Sequence, residues 1–200
     1  MPTTNVNGVQ RFYEINGTAG VPLVLVHGAW SSHHTWDRVA PRLAASFRVL
    51  TYDRRGHSQS ERPAGQGNIR EDVADLAALI KYLGMAPAWV AGSSAGAAIT
   101  LRLAGERPDL LQGVIGHEPG FLSLLAGDPT FAPLLEETDR LNRAVTGRIV
   151  SGDHAGAAEH FVETVVGPGS WEQMPPAFRQ TLIENAPAFL DDINESSGSL

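Results

Sequence analysis

Ser94 stands in Gly92-Ser-Ser-Ala-Gly96, a G-x-S-x-G pattern behind the short apolar run Ala88-Trp-Val-Ala91 and ahead of a small-residue stretch. Strand, sharp turn and helix would together lift one hydroxyl out of the backbone at the carboxyl edge of a sheet, facing helix N-terminal N–H groups. The chemistry open to such a hydroxyl is nucleophilic attack on an activated carbonyl, provided that a histidine takes its proton and a carboxylate orients that histidine. There is no cysteine, so serine must carry any nucleophilic chemistry, and disulfide frameworks, thiolate zinc sites and iron–sulfur clusters are excluded.

The elements that must position Ser94 can be read along the chain. Gln10 to Ile15 alternates loosely between Asn-Gly pairs and reads as an exposed antiparallel strand at an edge, the second of a hairpin. Leu23-Val-Leu-Val26 is a continuous apolar run, the mark of a central strand covered on both faces. Trp36 to Ala45 has helical spacing, Arg48 to Tyr52 is the next strand, and Glu71 to Leu83 is an amphipathic helix with acids in its first turn and Gly84 just past its end. After the Ala88 to Ala91 strand come a helix over Ala95 to Ala104 and a strand over Leu111 to Gly116. Strands alternating with helices predict a mostly parallel α/β sheet with right-handed crossovers. From Leu122 to about Leu190 only helical stretches occur, a helical lid over the sheet's carboxyl edge, and residues 194–200 form a polar tail. The predicted organisation is therefore a core over 1–118, a cap over 119–193 and the tail.

Composition narrows the partners. A chain of 200 residues with 42% apolar content can bury a full core. Its 22 acidic against 15 basic residues give a net charge of −7 without a basic block, which argues against nucleic acid and for a small-molecule substrate. The N-terminus lacks the pattern of a secretory signal and no apolar stretch is long enough to span a bilayer, so no membrane association and a cytoplasmic location are expected.

Three stretches agree in order and spacing: His27-Gly28-Ala29-Trp30 after the buried strand, Asp53-Arg-Arg-Gly-His-Ser-Gln-Ser60 after the next, and Gly92 to Gly96. Together they resemble the α/β-hydrolase superfamily, specifically its small esterase-like and haloperoxidase-like branch with a helical cap. The resemblance implies that Ser94 is the nucleophile, that the Ala95 amide supplies one oxyanion-hole N–H, and that Ala29, with Trp30 next, supplies the other. It implies no cofactor and no metal. The branches that open epoxides or remove halides carry aspartate at the elbow, so Ser94 points instead to a small ester or similar activated carbonyl, with perhydrolase chemistry using the same groups.

Two departures from that family pattern are informative. A second glycine is usual two residues after Gly56, where this chain has Ser58. The family triad also runs Ser, acid, His, with acid and histidine after late strands that are not visible before Leu200; the resemblance therefore implies a chain ending before its last two strands and the catalytic histidine. Of the seven histidines, His27 begins the oxyanion turn, His57 follows a strand not adjacent to the elbow, His33 and His34 read as a surface helix-start pair, and His154 and His160 belong to the cap. Glu118 lies 24 residues after Ser94 at the sheet's carboxyl edge, where some branches place the triad acid. Two readings of it stay open: triad acid, or a strand-end cap binding backbone N–H groups.

The rival to a serine hydrolase is a catalytically incomplete fragment, at most a small-molecule binding fold. A phosphate loop at Gly92 to Gly96 fits neither glycine-rich fingerprint and has no lysine beside it. If two strands are absent, Leu111 to Gly116 becomes an apolar sheet edge through which the chain would self-associate.

Overall fold

The computed structural model describes residues 2–194; 195–200, most of the polar tail, lie outside the described residues. Six strands form one sheet in the order β1-β2-β4-β3-β5-β6: β1 (Thr3–Val6), β2 (Val9–Asn16), β3 (Val21–Val26), β4 (Phe47–Tyr52), β5 (Ala88–Ser93) and β6 (Leu111–His117). β1 and β2 are joined at Asn7-Gly8, both at positive φ (52° and 78°), the backbone that a two-residue hairpin with native twist demands. β3, β4, β5 and β6 pair in parallel. The expected edge position of Gln10 to Ile15 is corrected, because β1 takes the edge and β2 pairs antiparallel with β4. That extra pairing is why Tyr13 and Ile15 sit half-buried against the main core.

The apolar run of β3 is explained by its two faces. Val24 and Val26 pack with α2 (Ile69–Tyr82) and α3 (Ala95–Glu106), while Leu23 and Leu25 pack on the other side with Ala40 and Val49. α2 starts two residues before the expected Glu71. Its first turn is closed by Asn68, whose side chain accepts from the Glu71 amide (3.3 Å) while Glu71 Oε2 accepts from the Asn68 amide (3.0 Å). α3 runs two residues past Ala104, through Gly105, because a glycine only weakens a last turn whereas Pro108 stops it.

The helix expected over Trp36 to Ala45 is broken in two. A 3-10 turn at His33–Trp36 precedes a four-residue α1 (Ala40–Leu43), since Pro41 fits only a first turn. Among the described residues this short segment is the main cover on that face of the sheet. Trp89 and Ile115 stay exposed beside an apolar groove of about 510 Å³. β6 is the last strand, half-buried to exposed along its length.

Beyond β6 come α4 (Ala132–Val150), α5 (His154–Val165), α6 (Ser170–Gln173), α7 (Pro176–Asn185) and α8 (Phe189–Ile193). As expected, no strand occurs among them in the described residues. They have their own apolar cluster, including Val145, Ile149, Val162, Trp171, Leu182 and Phe189, which Trp30 joins from the loop after β3. No described helix is long and apolar enough to cross a membrane.

Candidate active site

Ser94 sits between β5 and α3 at φ 54°, ψ −123°, a backbone conformation costly for a residue with a Cβ. Its neighbours make the turn possible. A Cβ on Gly92 would lie 2.2 Å from the Gly96 carbonyl oxygen, and one on Gly96 would lie 2.3 Å from that of Val26. Only glycine lets α3 start this close to β3 and β5. The Ser94 amide donates to the His117 carbonyl (2.9 Å), fixing the elbow to β6, and the side chain is left exposed at the head of α3. The amides of Ala95 and Gly96 precede the first bond back to the helix head, which Ala97 donates to the Ser94 carbonyl (2.9 Å).

Ser94, Ala95 and Ala29 line one cleft of about 300 Å³, whose other walls include Phe121, Leu141, Phe161 and Phe189. Two of the three expected oxyanion residues, Ala29 and Ala95, therefore share the cleft with the serine. Gly28 passes so close that a Cβ there would meet Ser94 Cβ at 3.1 Å. Trp30 does not line the cleft; it is buried, at φ 64°, stacking on Phe161 (centroids 5.0 Å) and packing on Phe189 (4.9 Å).

The other motif residues are a buried scaffold. His27 Nε2 accepts from the Arg54 amide (3.0 Å), which leaves Nδ1 to donate to the Gly28 carbonyl (2.8 Å), so the ring clamps the loops after β3 and β4 together. Burial and the adjacent Arg54 charge push its pKa down to about 3, keeping it neutral. Asp53 accepts from the His33 amide (2.8 Å), the His33 ring (2.8 Å) and the Gln59 amide (3.1 Å). Burial alone would raise its pKa, but the His33 hydrogen bonds outweigh it and hold the carboxyl below its ordinary value. Burial likewise opposes protonation of His33, and Asp53 outweighs it and raises the ring's pKa. The reading of His33 and His34 as a surface pair is thus corrected for His33, drawn inward by Asp53; His34 remains exposed. Ser58 adopts φ 46°, which explains the preference for glycine there.

Glu118 follows β6 at φ 50° and is exposed; its carboxylate lies 4.0 Å from His117 Nδ1 and accepts no hydrogen bond among the described residues. His117 reaches the hydroxyl of Ser93, not Ser94, at 3.4 Å. Among the described residues the Ser94 hydroxyl makes no hydrogen bond to an imidazole, and no cluster of metal-ligating side chains occurs.

Two residues that sequence reasoning passed over are prominent. Asn185, buried, donates to the carbonyls of Ser31 (2.9 Å) and Trp30 (3.3 Å) and accepts from the Ser58 amide (2.7 Å), joining α7 to both loops beneath the cleft. Asp192, whose side chain is 5% exposed, lines the cleft and pairs with Arg54 Nη2, the nitrogen that also donates to Asp72 at 3.0 Å. Their signal is visible in sequence: Leu182, Asn185, Phe189 and Asp192 recur at one helical spacing, so two polar residues interrupt a buried stripe.

A parallel sheet whose elbow serine, flanked by glycines, heads a helix under a helical layer is the α/β-hydrolase arrangement. The family model described as the alpha/beta hydrolase fold matches residues 21–182, and the chain belongs to this family. It is 36% identical over 128 residues to the uncharacterized hydrolase YraK of Bacillus subtilis, covering 63% of this chain and 47% of that protein. Among solved structures it is similar to an alpha/beta hydrolase of Sphaerobacter thermophilus (TM-score 0.77, 27% identity, 96% of this chain and 72% of that one). It is also similar to Est816, described as an N-acyl homoserine lactone degrading enzyme (TM-score 0.69, 25% identity, 94% and 66%). The chain spans about half, or less, of the length of the curated relatives it matches.

Proposed function

We propose that the protein is a serine hydrolase in which Ser94 performs acyl transfer on a small ester or similar activated carbonyl. The observation that carries this reading is the placement of an exposed Ser94 hydroxyl, at φ 54°, in one cleft with Ala29 and the head of α3. Ser94 Oγ attacks the carbonyl carbon, and the oxyanion is received by the Ala95 N–H together with that of Ala29, with Trp30 as the second candidate. The leaving group departs with a proton, and water releases the acid from the acyl-serine. The apolar walls suit an acyl chain or aryl group, and the lactone-degrading relative is in keeping with an ester-like carbonyl. Glu118, at the carboxyl end of β6, is the proposed acid for orienting an imidazole. The helices from α4 to α8 serve as the cap.

A second reading is a nucleophile without a base, favoured by the lack of any imidazole partner for Ser94 among the described residues. Positioning and oxyanion contacts alone retain catalysis about 10³-fold over water when a triad is broken, so slow turnover does not separate the two. Labelling by a fluorophosphonate does. Rapid labelling lost in Ser94→Ala is the result expected for the hydrolase; labelling no faster than in that variant would sink it and leave the binding fold.

A further inference from the structure

Asp192 is a carboxylate with half its bonding unfulfilled. One oxygen pairs with Arg54, while Oδ2 has no hydrogen-bond partner although the side chain is only 5% exposed. A buried carboxylate oxygen without a donor is costly, and this one belongs to a residue lining the cleft of Ser94. His57 Nε2 lies 4.0 Å from this oxygen and is itself without a partner. His57 Nδ1 lies 2.9 Å from the Arg55 carbonyl and must donate to it, so Nε2 presents a lone pair. Two acceptors therefore face one another. A nitrogen bearing several hydrogens can sit about 2.8 Å from both.

Charge points the same way. Arg54 is shared by two carboxylates, Asp72 and Asp192, whereas Arg11 and Arg55 are matched by Asp75 and Glu71, and Arg62 by Asp191. One negative charge is left uncompensated. Nearby, Phe161 and Phe189 line the cleft and offer ring faces that attract cations. The cleft's other charged wall residue, Arg102, lies over the Phe121 ring at 6.0 Å.

We infer that the cleft takes a carbonyl substrate carrying a primary ammonium group, with Asp192 as the residue that holds it. This rests on the reading of Ser94 as the nucleophile of the same cleft. The remaining walls then receive the substrate's apolar middle. Burial pushes the Asp192 carboxyl up to about 6 even though Arg54 opposes it, with Asp72 and Asp191 adding to the rise. An alkylammonium stays charged well above this range, so binding should strengthen as pH rises through about 6 and then level off.

The test compares methyl 6-aminohexanoate with methyl heptanoate, which replaces the ammonium by a methyl group. Dissociation constants are measured calorimetrically on the full 200-residue chain carrying Ser94→Ala, so that neither ester is consumed. The ammonium ester should bind at least about tenfold more tightly near neutral pH, with the preference shrinking at about pH 5, and Asp192→Asn should erase it. Asparagine keeps an acceptor for Arg54, and a melting curve checks that the variant folds. Equal affinities, no binding of either ester, a pH-independent preference, or a preference that survives Asp192→Asn would each overturn the inference. Fluorophosphonate labelling of the Ser94-containing chain runs in parallel. Intact labelling without ammonium preference rejects the inference alone, whereas preference without labelling rejects the hydrolase reading and leaves Asp192 as a ligand-binding residue.

Discussion

Replacing Asn185 by alanine tests whether α7 holds the loops on which the cleft depends. The amide donates to the Ser31 carbonyl at 2.9 Å and the Trp30 carbonyl at 3.3 Å, and accepts from the Ser58 amide at 2.7 Å. All three partners are backbone groups, which cannot rotate away to find other bonds. At about 1 kcal/mol net for each, the loss is about 3 kcal/mol. For a chain of this size each kcal/mol moves the melting temperature by about 2–4 °C, so a fall of about 6–12 °C is expected by circular dichroism. Trp30 and Ala29 share the freed loop, and a displacement of about 1 Å there is enough to slow chemistry by up to about 100-fold. Fluorophosphonate labelling of Ser94, measured below the transition, should fall by at least about tenfold. A melting temperature within about 2 °C of wild type would refute the energetic reasoning. A large thermal loss with unchanged labelling would refute the link between Asn185 and the oxyanion loop.

Stability should depend on pH through the buried His33–Asp53 pair. Asp53 is held below 3.8, so its contribution is present above that value and is lost as pH falls through its lower folded pKa; His33 is raised above 6.5, so its contribution is full below 6.5 and is lost as pH rises through the raised one. Urea melts across the range should show greatest stability between the two, and His33→Gln should flatten the alkaline decline; an unchanged decline would assign it elsewhere. The 200-residue chain should also self-associate, because among the described residues β6 pairs on one side only, with Trp89 and Ile115 exposed beside it. Sedimentation should show concentration-dependent association that Ile115→Lys weakens, and a monodisperse wild-type monomer would count against it.

What was legible in sequence is what local pattern dictates. Five of the six strands, the crossover helices and the elbow at Gly92 to Gly96 follow from periodicity and from glycines that nothing else can replace, while β1 is implied only as the first arm of a hairpin. Errors arose where a long-range partner decides the outcome. β2 is an inner strand because β1 pairs outside it, and His33 is buried because Asp53, twenty residues later, accepts its ring proton. The region from 36 to 45 shows the converse: the helical spacing was correct, but a single proline confined the helix to Ala40–Leu43. Asn185 and Asp192 went unnoticed because their partners, Trp30, Ser58 and Arg54, lie more than a hundred residues away.

The backbone itself indicates which of these residues belong together. Five described residues other than glycine adopt positive φ, and Asn7 is accounted for by its hairpin. The other four are Trp30, Ser58, Ser94 and Glu118, each in a loop at a strand's carboxyl end or just beyond it. Such conformations cost of order 1–3 kcal/mol and persist only where surrounding contacts over-determine them. Those contacts are visible for three of the four. Asn185 fixes the Trp30 carbonyl and the Ser58 amide, and His117 fixes the Ser94 amide. Glu118 has strain without a comparable restraint among the described residues, its side chain exposed. If its role is to orient an imidazole, that contact would supply the missing restraint, and Glu118→Gly should then stabilise the isolated chain by relieving φ while leaving the Ser94 elbow intact.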